Sequence, residues 1–212
     1  MNQDHQYIYL HGFASSPKSR KAVYLQAQFA EIGINLEVPD LNDNDFRNLT
    51  LTRQINQAKA LFNSSNLPIT IIGSSFGAYT ATWLAEKYSQ VAKLVLLAPA
   101  FGFPANWLTK LPPTELEEWK IQGFKKIYHF SANEQLPLNY EFLMDGDRYK
   151  LEDLKRSLPT LIIHGTNDQV VPIELSQNHA RSHQQVELVE MESDHGLSNM
   201  QEKIWQLMTK FC

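Results

Sequence analysis

The chain lacks almost everything that would place it outside the ordinary globular classes. Its only cysteine is Cys212 among 212 residues. One cysteine cannot close an internal disulfide, so a reducing compartment is expected. No uninterrupted apolar stretch approaches the roughly 18 residues of a membrane span. The polar segment Met1–His5 and the short apolar run Tyr7–Leu10 do not make a secretion signal, which points to the cytoplasm. Basic side chains are outnumbered, 19 Lys and Arg against 23 Asp and Glu, and they form no block. With a formal charge of −4, neither a nucleic acid nor an anionic membrane is an expected partner. Repeats and low-complexity segments are also missing. What remains is 43% hydrophobic and 20% charged, a balance that excludes disordered and fibrous classes. A chain of this length buries roughly 70% of its unfolded surface, enough for a core without staples.

Short apolar runs alternate with longer helical patterns. Strands are predicted over Tyr7–Leu10, Asn35–Val38, Pro68–Gly73, Lys93–Leu97, Thr160–His164 and Val186–Glu190. Helices are predicted over Lys18–Ile32, Thr50–Asn63, Ala78–Tyr88, Ile173–Arg181 and Leu197–Phe211. Strands apolar on both faces belong to a parallel sheet covered by helices, and strand–helix alternation implies the same α/β class. The rhythm breaks after Pro99, and the next sheet strand comes only after Pro159. A structureless loop of that length is improbable inside a domain. The sequence therefore predicts one domain over 1–212, with about six mainly parallel strands and an inserted cap at about 101–157. Within the cap, Lys125–Phe130 and Tyr140–Met144 have strand composition and are expected to form a hairpin.

The sharpest local signal is Gly73-Ser74-Ser75-Phe76-Gly77. It fits the G-x-S-x-G elbow, in which a serine on a tight strand-to-helix turn is lifted clear of the sheet. The small flanking residues are needed because side chains there would strike the neighbouring strand and helix. A serine needs a base, and the base needs an orienting group. Asp168, in His164-Gly165-Thr166-Asn167-Asp168, follows a predicted strand, and His195, in Ser193-Asp194-His195-Gly196, follows the next. The order serine, acid, histidine suits this architecture, and all three fall beyond the carboxyl ends of strands. Asp194 is adjacent to His195, but neighbouring side chains in an extended loop diverge, so Asp168 is the expected orienting acid. The oxyanion donors are expected from the backbone N–H of Phe76, after the nucleophile, and of Phe13, in His11-Gly12-Phe13. His11 and His164 read as structural histidines.

Together, His-Gly-Phe, Gly-Ser-Ser-Phe-Gly, His-Gly-Thr-Asn-Asp and Asp-His-Gly resemble the α/β-hydrolase superfamily. The run Tyr9-Leu10-His11-Gly12-Phe13-Ala14-Ser15-Ser16-Pro17, with Lys18, Ser19 and Lys21-Ala22, resembles more narrowly the small bacterial esterases of the YqiA type. The resemblance spans 7–100 and 158–212, while 101–157 matches only in placement. It implies Ser75 as nucleophile, Asp168 as acid and His195 as base in a serine esterase that needs no metal or organic cofactor. A small acyl ester is the implied partner. An acyl thioesterase with the same triad, or a non-catalytic scaffold binding a small molecule or a protein, is the alternative; a peptidase is disfavoured by the lack of an extended groove signature. Ala78 stands where many relatives carry a second glycine, and the two leading strands of larger hydrolases are absent.

Weaker signals read as ordinary structure. Lys18, Ser19, Arg20 and Lys21 suggest a solvated, capped helix start rather than a phosphate site. His179 and His183 have the four-residue spacing of a metal pair but no third ligand nearby. The sequons Asn48-Leu49-Thr50 and Asn63-Ser64-Ser65 are discounted for want of a secretion signal. Trp107, Trp119, Phe101 and Phe103 either line an acyl pocket or pack the cap.

Overall fold

The six apolar runs pair into a single parallel sheet in the computed structural model, which describes residue 1 and residues 4–62 and 67–212. In chain order the first half contains β1 (Gln6–Leu10), α1 (Arg20–Glu31), β2 (Leu36–Glu37), α2 (Leu51–Ala60), β3 (Ile69–Ser74), α3 (Phe76–Lys87) and β4 (Val91–Leu97). The chain then leaves the sheet for α4 (Ala105–Leu108), α5 (Pro113–Gln122), β5 (Phe124–His129), β6 (Glu134–Asn139) and α6 (Glu141–Gly146). It returns as β7 (Thr160–Gly165), α7 (Ile173–Ser182), β8 (Val186–Met191) and α8 (Gln201–Phe211). The large sheet has the order β2-β1-β3-β4-β7-β8, and β5 and β6 pair separately.

Successive residues of a strand point to opposite faces, and here both faces are buried. Tyr7 and Tyr9 of β1, Ile72 of β3 and Ile163 of β7 pack with Leu25 and Phe29 of α1 and Ile204 and Met208 of α8. Ile8, Leu10, Ile71 and Ile162 pack on the other face with Ile55 of α2 and Leu84 of α3. Polar caps set where the helices begin. The Ser19 hydroxyl accepts the Ala22 N–H at 3.4 Å, and the Thr50 hydroxyl accepts the Arg53 N–H at 3.0 Å. At the return of the inserted segment, the Arg156 guanidinium donates to the carbonyls of Ala85, Tyr88, Ser89 and Val91. It thereby satisfies the open carbonyl end of α3.

Several predicted boundaries move. β2 is only two residues long, α2 ends at Ala60, and the predicted end at Asn63 lies outside the described residues, as does the second sequon. The last helix starts at Gln201 rather than Leu197, because 192–200 forms a loop. The hairpin needs a correction. Its second strand is Glu134–Asn139, with Pro137 facing Lys126, and Tyr140–Met144 enters the helix α6. Proline gives up one ladder donor, which a hairpin's edge tolerates. Phe142 and Leu143 of α6 are buried instead in the main core.

Register brings the strand ends level. Leu10 pairs with Gly73, Ser74 with Leu97, Leu97 with Ile163 and Gly165 with Met191. The loops after β1, β3, β7 and β8 therefore open on one edge. Strand order reverses between β1 and β3, the switch point at which open α/β sheets bind ligands. Among the described residues no helix is long and apolar enough to cross a membrane.

Candidate active site

Ser75 is the single residue between β3 and α3, at φ 54° and ψ −114°. A non-glycine residue there stores about 1–3 kcal/mol of strain. Three backbone hydrogen bonds hold it: its N–H donates to the Leu97 carbonyl at 2.8 Å, and its carbonyl accepts from Tyr79 and Ala100 at 3.1 Å each. The flanking glycines have steric reasons. A Cβ on Gly77 would lie 2.2 Å from the Leu10 carbonyl oxygen, and one on Gly73 would lie 2.4 Å from the Ala78 Cα. α3 runs unbroken through Ala78, so alanine is accommodated at that position.

The structure brings Ser75, His195 and Asp168 into one line. His195 Nε2 lies 2.9 Å from Ser75 Oγ, and Nδ1 lies 2.7 Å from Asp168 Oδ2. An ionised carboxylate only accepts. Nδ1–H therefore donates to Asp168, and Nε2 accepts the Ser75 hydroxyl proton. The Asp168 side chain is fully buried, while that of His195 is 23% exposed. Asp194 turns away and accepts the Gly196 N–H at 3.0 Å.

Asp168 is saturated with donors. Oδ1 accepts the N–H groups of Val170 and Val171 at 2.7 and 2.8 Å, and Oδ2 accepts from His164 as well as His195. Burial alone would raise its pKa, but hydrogen bonds from His164, His195 and Val171 hold the carboxyl well below the usual range. His164 is thus a structural histidine with a specific task. Its Nε2 faces two acceptors, Asp168 at 3.0 Å and the Val171 carbonyl at 3.1 Å, so Nε2 carries the proton. Nδ1 then accepts from the Ser176 hydroxyl at 2.7 Å. Its only signal in the sequence is its place four residues before Asp168.

The two loops are stitched together. Thr166 N–H donates to the Met191 carbonyl at 2.7 Å and Asn167 N–H to the Ser193 carbonyl at 3.0 Å. Gly165 permits this approach, since a Cβ there would meet the Ser193 oxygen at 2.3 Å.

On the other side of Ser75, a Cβ on Gly12 would lie 3.4 Å from the Ser75 Cβ, so the loop after β1 passes in contact with the elbow. His11 braces that loop. Its Nδ1–H donates to the Gly12 carbonyl at 3.0 Å, and Nε2 accepts the Leu41 N–H at 3.0 Å. Burial lowers its pKa, which keeps it neutral. Among the described residues, no hydrogen bond within the protein uses the Phe13 or Phe76 N–H. Phe13 and Phe76 both line the cavity beside Ser75, and Phe76 is the first residue of α3, whose amide has no partner within the helix.

An apolar cavity of about 90 Å³ opens beside Ser75. Phe13, Phe76, Phe103, Trp107 and Phe142 form its aromatic wall, and Asn106 is a polar member. Phe101 also borders it, but Trp119 stands behind Trp107, with ring centroids 5.7 Å apart. Trp119 is buried and donates Nε1–H to the Leu138 carbonyl at 3.0 Å, joining α5 to the hairpin. Of the four aromatics singled out in the sequence, three line the cavity and one packs the insert.

The other signals resolve into structure. His183 directs both ring nitrogens at carbonyls, Nδ1 to His179 at 2.9 Å and Nε2 to Leu154 at 3.2 Å. Neither nitrogen has a lone pair aimed at open space. Lys21 is half-buried rather than fully solvated, and its Nζ donates to the Gly196 carbonyl.

This geometry can be set beside known proteins. A family model described as an uncharacterised protein family, UPF0227, matches residues 6–212. The chain belongs to that family. Solved structures similar to this chain have the α/β-hydrolase fold, as the sequence resemblance implied. One, provisionally described as a hydrolase, from Agrobacterium vitis S4, is 22% identical, with a TM-score of 0.87 over 99% of this chain and 89% of that one. Est1E from Butyrivibrio proteoclasticus, with ferulic acid bound, is 21% identical, with a TM-score of 0.77 over 99% and 91%. Alpha/beta hydrolase domain-containing protein 10 from mouse is 18% identical, with a TM-score of 0.76 over 98% and 90%. At these identities the shared property is the fold.

Proposed function

We propose that this UPF0227 member is a serine esterase that hydrolyses small carboxylic esters through an acyl-enzyme. The observation that carries the reading is the continuous relay from Ser75 Oγ through His195 to Asp168, at 2.9 and 2.7 Å. Ser75 Oγ attacks the ester carbonyl carbon as its proton passes to His195 Nε2. The carbonyl oxygen becomes an oxyanion, and the free N–H groups of Phe13 and Phe76 donate to it. The bond to the leaving oxygen breaks, and His195 Nε2 returns the proton to that oxygen, releasing an alcohol. Water then attacks the acyl-enzyme with His195 as base; the carboxylic acid leaves and the proton returns to Ser75. Asp168 fixes the Nδ1–H tautomer and stabilises the imidazolium. These steps call on no metal or organic cofactor. In this reading residues 1–212 form one domain, and 101–157 is its cap, contributing Trp107 and Phe142 to the acyl pocket. Est1E, among the structural neighbours, supports the reaction class.

A panel of nitrophenyl esters and acyl thioesters of increasing length tests the proposal. The reading expects ester turnover that falls by about 10³-fold or more in a folded Ser75→Ala variant. Turnover only of thioesters would move the substrate class. Ester turnover within tenfold of the parent in Ser75→Ala would remove the serine mechanism.

A further inference from the structure

The loop from Glu192 to Met200 carries His195 and must hold its ring in line with two partners at once. On the side before His195, Ser193 is tied to Asn167 of the neighbouring loop. On the side after it, the bonds stay within the loop: Gly196 N–H to Asp194 Oδ1 at 3.0 Å, Leu197 N–H to the Asp194 carbonyl at 3.2 Å, and the Ser193 hydroxyl to Asn199 Oδ1 at 2.7 Å. The Gly196 carbonyl has a partner from outside the loop. Lys21 Nζ, in the first turn of α1, donates to it at 2.8 Å across 175 residues of sequence. A lysine at a helix start normally extends into water. This one turns inward, beside Tyr24 of α1 and Gln201 of α8.

From this geometry we infer that Lys21 is a positioning residue for the proposed base: by holding the Gly196 carbonyl, its ammonium keeps the His195 imidazole aligned between Ser75 and Asp168. The inference rests on the esterase reading above. Displacements of an ångström at a reacting group cost orders of magnitude in rate, so an anchor one peptide away from the imidazole matters. A charged donor makes a bond roughly twice as strong as a neutral one. The charge is finely held. Burial pushes the Lys21 amine down from 10.5 to about 8, and the carboxylates of Asp194 and Asp168 offset part of that. The groups facing it are Asp194 from its own target loop, Asp168 from the loop after β7, and Tyr24 from α1. Because the folded value lies below the unfolded one, burying the charged lysine opposes folding at neutral pH.

The test compares the wild type with Lys21→Met and Lys21→Arg in kcat, KM and melting temperature, from pH 6 to about 10. Lys21→Met should lower kcat about tenfold with KM within about twofold and no loss of melting temperature. Wild-type kcat should decline above about pH 8, Lys21→Met should not show that decline, and Lys21→Arg, whose charge persists to about pH 12, should shift it upward. A folded Lys21→Met with wild-type kcat, or the same alkaline decline in all three proteins, would overturn the role while leaving the esterase reading intact. If Lys21→Met does not fold, the Lys21→Arg profile decides alone. A wild type inactive on every ester and unlabelled by a serine-reactive phosphonate would overturn both.

Discussion

Asp168 meets four donors with two oxygens, and that concentration makes two outcomes predictable at the scale of one residue. Asp168→Asn keeps the shape but favours the wrong imidazole tautomer, so turnover should fall about 10²–10⁴-fold. Asp194→Asn, at a residue whose carboxylate caps Gly196 and faces Lys21 but does not touch the His195 ring, should cost less than about tenfold. The reverse ranking, measured on folded variants with one ester, would transfer the orienting role to Asp194. The second outcome concerns acid. The folded carboxyl is held below its unfolded value near 3.9, so its contribution to stability is complete above that pH and is lost as pH falls through and below it. Denaturant titrations between about pH 5 and 2 should show the wild type losing stability faster than Asp168→Asn. Parallel curves would mean that the hydrogen bonds from His164 and His195 do not discriminate the ionised form.

At the scale of elements, loop contact and the insert each carry a prediction. Gly165→Ala would drive a Cβ to 2.3 Å from the Ser193 carbonyl oxygen and separate the Asp168 and His195 loops. It should destabilise the fold by about 1–3 kcal/mol and lower turnover more than affinity; unchanged kinetics would show that the loops do not need this contact. In the insert the two tryptophans should part. Trp107→Ala opens the cavity wall and should change acyl-length preference more than the rate on an acetyl ester. Trp119→Ala removes a buried ring and its bond to Leu138, and should instead cost about 3–5 kcal/mol of stability with little change of preference. Equal chain-length profiles in both variants would contradict the division. The same contrast explains what was legible in the sequence. The strand-elbow-helix at Ser75 is written in local terms: an apolar run, then glycines where any Cβ collides. The insert is not. Tyr140–Met144 has strand composition, yet α6 buries Phe142 and Leu143, and its Asp145 accepts the Thr52 N–H at 2.8 Å at the start of α2. The bond from Thr52 to Asp145 spans 93 residues of sequence, and no periodicity announces it. In the sequence His164 reads as structural and Lys21 as part of a solvated helix start; histidine beside a turn and lysine at a helix start are ordinary, and only the partners seen in the fold, Asp168 and Ser176 for the one and Gly196 for the other, give them a task.

Across the whole molecule, the proposed function depends on four loops from separate parts of the chain ending on one edge of one sheet. The parallel register fixes that edge, the reversal of strand order between β1 and β3 opens a crevice there, and the insert roofs it with aromatic side chains. The central claim is that this assembly activates Ser75. The most direct measurement is labelling of the intact protein by a fluorophosphonate, with the modified peptide located by mass spectrometry. The account predicts one phosphonyl group per chain, on Ser75, absent in Ser75→Ala and slowed by at least about 10²-fold in His195→Gln. A folded protein that takes no label, or takes it equally fast without His195, would contradict it.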